Sequence, residues 1–310
     1  MPTVPDTNDK TIFSASDTFQ RRWLGQKLKI GSLCSGYGGL DMAVEAFFNA
    51  ETVWMSDVDK YASIAISERW NKPNLGDLTQ VDWSEVEPVD IVTAGYPCQP
   101  FSQAGQRKGS KDVRHIWPHI AQIISQIRPR IIILENVRGH LSLGFKEVLK
   151  DLAQLGYDAK WRIVRASDVG APHQRARLFI IAYSDSNAHS QPRRTNRSVY
   201  GKTSQVVNRS DRQKHRGSGE NVGNTNHKQL SPDRQMSRLG WRFNTRSEMC
   251  LREIPSPLVD GKLNTKYVEY MMGLPEGWVT DLPISRSQQF KMLGNGVVPQ
   301  QAYEALSQMV

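Results

Sequence analysis

The sequence predicts an α/β fold built on a doubly wound sheet. Three observations lead there. Strand-sized apolar runs alternate with stretches of helical periodicity across residues 27–183. Several of these runs lead directly into loops rich in Gly or Pro, which is where open α/β sheets carry their chemistry. The composition, 38% hydrophobic and 23% charged over 310 residues, is too apolar for a disordered chain and too polar for a membrane protein.

The elements follow in order. Residues 29–33 read as a strand, 40–48 as a helix, 52–56 as a strand and 61–70 as a helix with apolar residues at helical spacing. A strand at 90–94, a helix at 116–127 and a buried strand at 131–134 come next. A helix at 145–155 precedes a pair of strands near 159–165 and 178–182. Residues 285–309 return to helical periodicity, broken at 294–296 by Gly294-Asn295-Gly296. Residues 1–26 form a polar arm, and 1–9 lack the basic start and apolar centre of a secretory signal. No run reaches the roughly 18–20 apolar residues of a spanning helix, so no membrane partner is expected. The three cysteines, Cys34, Cys98 and Cys250, lie far apart. That excludes a disulfide framework or a cysteine-rich zinc site and points to a reducing compartment. His115 and His119 have helical i, i+4 spacing without an intervening glutamate, so no metal site is expected.

The net charge of +9 is unevenly spread: residues 185–250 hold 13 Lys and Arg against 5 Asp and Glu. This polar segment reads either as a disordered linker or as a recognition region for a polyanion. Trp241 and Phe243 among Arg238, Arg242 and Arg246 suit a nucleic-acid surface, and equally a chain anchored to a core.

Three constellations carry chemistry. Strand 29–33 runs into Cys34-Ser35-Gly36-Tyr37-Gly38-Gly39-Leu40, a loop whose glycines let a ligand approach backbone N–H groups at a helix start. Asp57, 21 positions after Gly36, follows the next strand and suits both hydroxyls of a ribose. A dinucleotide fingerprint needs glycine at 41, where Asp41 stands. A nucleoside cofactor without pyrophosphate remains, and S-adenosylmethionine fits that description; a purely structural turn fits the loop as well. Strand 90–94 ends in Gly95-Tyr96-Pro97-Cys98-Gln99-Pro100-Phe101-Ser102, two prolines stiffening a turn that presents a thiol. Residues 103–111 then read as a basic, Gly-rich flap. Strand 131–134 ends in Glu135-Asn136-Val137. If the two strands are neighbours, Cys98 and Glu135 leave the same sheet edge as nucleophile and proton-bearing acid. Taken alone, Cys98 could be a buried small hydrophobe and Glu135 a surface charge or cap. In Pro172-His173-Gln174-Arg175-Ala176-Arg177 the two arginines alternate along a strand start and should share one face, directed into the site or simply exposed at an edge.

Taken in order, these elements resemble the DNA (cytosine-5) methyltransferase family over roughly residues 27–183 and 262–305. Residues 33–40 look like its cofactor loop, Asp57 like its ribose-binding acid, and Gly76-Asp77-Leu78-Thr79 like its adenine-contacting turn. Arg114-His115-Ile116-Trp117 looks like the helix start beside the cofactor. Residues 95–102 match the nucleophile motif, Glu135-Asn136-Val137 the catalytic glutamate motif, and residues 173–177 the Gln-x-Arg-x-Arg motif. Residues 292–299, Met-Leu-Gly-Asn-Gly-Val-Val-Pro, look like the final motif, whose helix packs back onto the first domain. Cys34 stands where the family usually has an aromatic residue, Val58 where a bulky apolar residue often covers the adenine, and His173 where glutamine is usual.

The resemblance implies a Rossmann-like, S-adenosylmethionine-dependent methyltransferase sheet. It implies a catalytic domain at 27–183, a basic and partly disordered target-recognition region at 184–268, and a returning segment at 269–310. It implies Cys98, Glu135, Arg175 and Arg177 as catalytic residues. The cofactor would meet Cys34, Ser35, Gly36, Tyr37, Gly38, Gly39, Leu40, Asp57, Val58, Asp77, Leu78, Gly95, Pro97, Asn295 and Gly296. DNA would meet Ser102, Gln103, Arg107, Lys108, Arg238 and Arg242. The implied activity is methyl transfer from S-adenosylmethionine to carbon 5 of a flipped-out cytosine, through a covalent Cys98 adduct, in restriction-modification or phage and host DNA protection. The implied setting is cytoplasmic, as a monomer on double-stranded DNA, with room for a cognate restriction endonuclease as partner. A transfer-RNA cytosine methyltransferase of the same fold, or a catalytically silent DNA-binding regulator, are the competing expectations.

Overall fold

A computed structural model describes residues 27–97, 116–184 and 253–310. Six strands form the main sheet: β1 (Lys29–Leu33), β2 (Glu51–Ser56), β3 (Ile91–Ala94), β4 (Ile131–Val137), β5 (Tyr157–Val164) and β6 (Arg177–Ser184). Their spatial order is β2-β1-β3-β4-β6-β5. The β1–β2, β1–β3 and β3–β4 pairs are parallel, while β6 runs antiparallel to both β4 and β5. The parallel strands leave helices as the crossovers, which places all their carboxyl ends on one edge.

Covered on both faces, the central strands bury every residue of 91–94 and 131–136, Thr93, Glu135 and Asn136 included. Val92, Ala94, Ile132 and Leu134 point to one face, where α3 (Trp117–Ile127) and α4 (Phe145–Gln154) bury Trp117, Ile120, Ile124, Phe145, Val148 and Leu152. Ile91, Ile131 and Ile133 point to the other, against α1 (Gly39–Phe48) and the last helix, α7 (Pro299–Met309). Leu40, Ala43, Val44 and Phe47 of α1 meet Ala302, Ala305 and Leu306 of α7 there. The result is a three-layer α/β architecture. No helix among the described residues is long and apolar enough to cross a membrane.

Two local expectations change. The helix expected at 61–70 is α2 (Lys60–Ala65) followed by a π turn, Ile66–Trp70. The wider turn brings the Trp70 indole to the glycine loop after β1, where its Nε1 donates to Tyr37 O at 3.1 Å. The strand expected to stop at 134 continues through Glu135, Asn136 and Val137, because β6 pairs with all three. The polar composition of that tripeptide hides its ladder from a hydrophobic pattern. A hairpin of β7 (Leu258–Val259) and β8 (Lys262–Leu263), then α5 (Thr265–Met271), precede α6 (Arg286–Asn295). The buried Glu269 of α5 organises the turn after it, accepting from the backbone N–H of Gly277 at 2.8 Å and of Thr280 at 2.9 Å.

Candidate active site

The carboxyl ends of β1 to β4 surround a cavity of about 540 Å³. At β1 the chain turns sharply: Cys34, Gly36 and Gly38 have φ of 52°, 57° and 85°. A left-handed backbone is costly for the non-glycine Cys34 and cheap for the glycines on either side of Tyr37. Gly36 N–H donates to Asp57 Oδ2 at 2.8 Å, and Asp59 N–H to Asp57 Oδ1 at 2.8 Å. Asp57 is thus locked by one backbone donor per oxygen, each oxygen keeping a lone pair for a ligand hydroxyl. Burial pushes its carboxyl above the usual range, opposed by those two N–H groups. Nothing lies within 4 Å of where a Gly36 Cβ would stand, so the loop backbone faces open cavity.

Farther along the wall, Asp77 accepts from Thr79 N and Oγ1 at 2.9 and 2.8 Å, and these bonds lower its pKa. Val58 is 77% exposed at the rim. Cys34, by contrast, is pushed up to about 12 by burial and then by the charge of Asp57, so its thiol stays neutral and unreactive. Lys291 of α6 closes one side through an ion pair of 2.9 Å with Asp59.

The opposite end of the cavity is the acid. Parallel pairing of Ala94 with Leu134 makes β3 and β4 neighbours, as the reading of the two loops requires. A Cβ built on Gly95 would stand 3.8 Å from both Cys34 O and Glu135 Oε2. Glu135 is 7% exposed, and Arg177 Nε lies 3.0 Å from its Oε1. Burial raises the Glu135 pKa, and the Arg177 and Arg175 charges pull against it. The carboxyl is therefore poised to hold a proton farther up the pH scale than an exposed glutamate, with Arg177 fixing its orientation.

Arg175 is a correction. It was expected to share a strand face with Arg177, but β6 begins at Arg177 and Arg175 has a φ of +21°. Its guanidinium Nη2 donates to Gly294 O and Gly296 O at 2.9 and 2.6 Å, capping the end of α6. Its own carbonyl accepts from Gln301 Nε2 at 2.7 Å. Arg175 therefore ties the arginine motif to the 294–296 turn, while its charge still acts on Glu135. Arg175→Ala should cost about 1–3 kcal/mol of stability, the scale of charge-assisted hydrogen bonds. Denaturant unfolding checks this.

Asp41 is the buried group that sequence reading passed over, noting it only as a missing glycine. It is 1% exposed and accepts from Ser32 Oγ of β1 at 2.9 Å and Thr93 Oγ1 of β3 at 2.5 Å, joining two strands that carry site loops. Burial raises its pKa from 3.8 to about 6, against the pull of both hydroxyls. The folded state therefore holds this proton through a pH range where the unfolded chain has lost it. The Asp41 contribution to stability falls as pH rises from about 4 to 6, by about 2–3 kcal/mol in all. Asp41→Asn should remove that slope, so the stability difference, variant minus wild type, grows in the variant's favour over this window. A difference that shrinks as pH rises would contradict the assignment.

Of the residues the sequence singled out, Cys34, Ser35, Gly36, Tyr37, Gly39, Leu40, Asp57, Val58, Asp77, Leu78, Gly95, Pro97, Glu135, Arg177, Asn295 and Gly296 all line this one cavity. Gly38 lies behind it, against the Trp70 ring. Cys98, Ser102, Gln103, Arg107, Lys108, Arg238 and Arg242 lie outside the described residues. Two tryptophans escaped the sequence reading: Trp70 and Trp278 both donate Nε1–H to Tyr37 O at 3.1 Å. No local pattern announces them, because they meet the loop from 33 and 241 positions away. Among the described residues there is no cluster of metal-ligating side chains.

The family model of C-5 cytosine-specific DNA methylases matches residues 28–255. The chain is 35% identical over 159 residues to the Type II methyltransferase M.NgoBI of Neisseria gonorrhoeae, covering 50% of each chain. It is 30% identical over 185 residues to M.BsuFI of Bacillus subtilis, covering 58% of this chain and 45% of that one. The chain thus spans about half the length of the curated relatives it matches. Among solved structures, the S. pombe Dnmt2 methyltransferase shares the fold with a TM-score of 0.54 at 18% identity, over 90% of this chain and 97% of that one.

Proposed function

The chain belongs to the family of C-5 cytosine-specific DNA methylases, and on that premise we propose that it methylates carbon 5 of cytosine in double-stranded DNA, using S-adenosylmethionine. One observation carries the reading. The ion pair of buried Glu135 with part-buried Arg177 and the Gly95–Pro97 stem that leads to Cys98 stand at adjacent strand ends, in the same cavity as the glycine loop and Asp57.

The residues fit the cofactor. Asp57 keeps one lone pair per oxygen for a ribose, and Gly36 leaves its backbone open to the ligand. Asp77, Leu78 and Val58 form the adenine end, and Cys34, Ser35, Tyr37, Gly39, Leu40, Asn295 and Gly296 hold the remainder, with Gly38 shaping the turn. When bound, S-adenosylmethionine supplies an electrophilic methyl group.

Cytosine carbon 5 is too weak a nucleophile to take that methyl unaided. Cys98, as thiolate, bonds to carbon 6 and pushes an electron pair into the ring. Glu135, protonated, donates to ring nitrogen 3 as charge develops there, and Arg177 donates to the adjacent carbonyl oxygen. Carbon 5 then takes the methyl group. Loss of the carbon 5 proton returns the electron pair, and the carbon–sulfur bond breaks to release Cys98. A stacked base cannot reach this cavity, so the target must be extruded from the duplex. Ser102, Gln103, Arg107 and Lys108 beside the nucleophile would meet the DNA. Arg238 and Arg242 within a 184–268 recognition region would do so too, with 27–183 catalytic and 269–310 returning to it. The Type II names of the relatives support a place in restriction-modification, with a cognate endonuclease as partner and a monomer in a reducing cytoplasm as the working form.

The test is transfer of labelled methyl from S-adenosylmethionine to duplex DNA and to transfer RNA in parallel. Label in DNA, lost on Cys98→Ser, is expected. Label confined to RNA, or undiminished in the variant, would contradict the proposal.

A further inference from the structure

We propose that Tyr96 and His140 form a buried staple that sets the spacing between the nucleophile stem and Glu135; this rests on the reading of Cys98 and Glu135 above. The parallel ladder between β3 and β4 ends with Ala94 opposite Leu134. Beyond it, Gly95, Tyr96 and Pro97 lead away toward Cys98, while β4 carries on through Glu135 and Asn136. Two hydrogen bonds bridge the gap. Asn136 Nδ2 donates to Tyr96 O at 3.4 Å, a long contact. The Tyr96 hydroxyl meets His140 Nε2 at 2.8 Å, across 44 positions of sequence.

The pair is built to stay in place. Tyr96 is 3% exposed and His140 fully buried. Their rings meet edge to face at 5.6 Å, Trp117 lies 5.8 Å from Tyr96, and Phe145 backs His140 at 6.2 Å. Trp117 is itself held by Nε1–H donation to Asp151 Oδ2 at 2.8 Å. Burial drives the phenol pKa far above its ordinary value, so the hydroxyl keeps its proton. A neutral phenol can donate to the imidazole or accept from it, so the contact holds in either imidazole tautomer. His140 sits in the 3-10 turn Arg138–Ser142 directly after β4, so the staple reaches from the stem before the nucleophile to the turn just past the acid. Positioning of this kind acts on the rate, since small displacements of reacting groups cost large factors. Neither residue touches the reacting atoms in the proposed mechanism; both are positioning residues.

Tyr96→Phe keeps the ring and removes only the hydroxyl. Single-turnover methyl transfer should slow at least about tenfold with cofactor Kd changed less than about twofold. His140→Leu should slow it alike, and Tyr96→Phe/His140→Leu no further, because one interaction is lost in all three. His140→Gln, which retains an acceptor, should recover most of the rate. Peptide-mapped alkylation of Cys98 gives a second readout: its rate should shift at least about threefold in Tyr96→Phe. Wild-type transfer and alkylation rates in Tyr96→Phe, or a loss explained entirely by a smaller folded fraction, would overturn the staple. Wild-type protein that alkylates normally and transfers no methyl would overturn the functional reading instead, leaving the alkylation comparison to decide the staple.

Discussion

Glu135→Gln should slow single-turnover methyl transfer by about 10²–10⁴-fold, the usual range for removing a positioned proton donor. Cofactor affinity should change little, because Asp57 and the glycine loop do not depend on the acid. Glutamine matches glutamate in size but cannot hold or release the proton. It also leaves the Arg177 guanidinium, 3.0 Å away, without its carboxylate. Burial raises the Glu135 pKa. The active, protonated form is therefore present at low pH and lost as pH climbs through that raised value. The wild-type rate should fall on the alkaline side for this reason, and the variant should lack that limb. A variant within about fivefold of wild type would remove Glu135 from the chemistry.

Gly39→Val should be the most destabilising change in the cofactor loop, costing about 3–5 kcal/mol, with Tm lower by about 10 °C. A Cβ at Gly39 would stand 2.2 Å from Val297 O, a backbone atom with nowhere to go, and 2.6 Å from the Tyr37 ring. Val297 O also accepts from the Tyr37 hydroxyl at 2.7 Å, so the clash falls on the joint that locks the final motif to the first loop. Gly36→Ala makes the control. It meets nothing within 4 Å and pays only for its φ of +57°, about 1–3 kcal/mol. Equal losses in the two variants would show that loop strain, not the Val297 contact, governs this region.

The sheet is readable because strands such as 131–134 are blocks of consecutive aliphatic residues, rich in β-branched Ile and too short for a helix, set between turn-forming segments. Gly36 and Asp57 were readable because each stands just past a strand that local pattern identifies. The Arg175 role was not. Alternation in sequence says that Arg175 and Arg177 share a face only if both are in the strand, and Arg175 adopts a left-handed turn just before it. Its partners, Gly294 and Gly296, lie 119 and 121 positions away. Tyr96 with His140, and Ser32 with Asp41 and Thr93, escaped for the same reason: each is a buried polar contact made across the fold, and polar side chains carry no periodic signal. The extension of β4 through Glu135 was hidden because antiparallel pairing with β6, not hydrophobicity, maintains it.

The covalent step can be read directly by incubating the full chain with S-adenosylmethionine and duplex DNA in which 5-fluorocytosine replaces cytosine. Carbon 5 then has no proton to lose, so the thioether cannot break. A denaturant-resistant protein–DNA adduct should form, with the modified base on the peptide containing Cys98, and neither Cys98→Ser nor DNA lacking the fluorinated base should give it. Absence of any adduct, or an adduct mapped to Cys34 or Cys250, would contradict nucleophilic catalysis by Cys98.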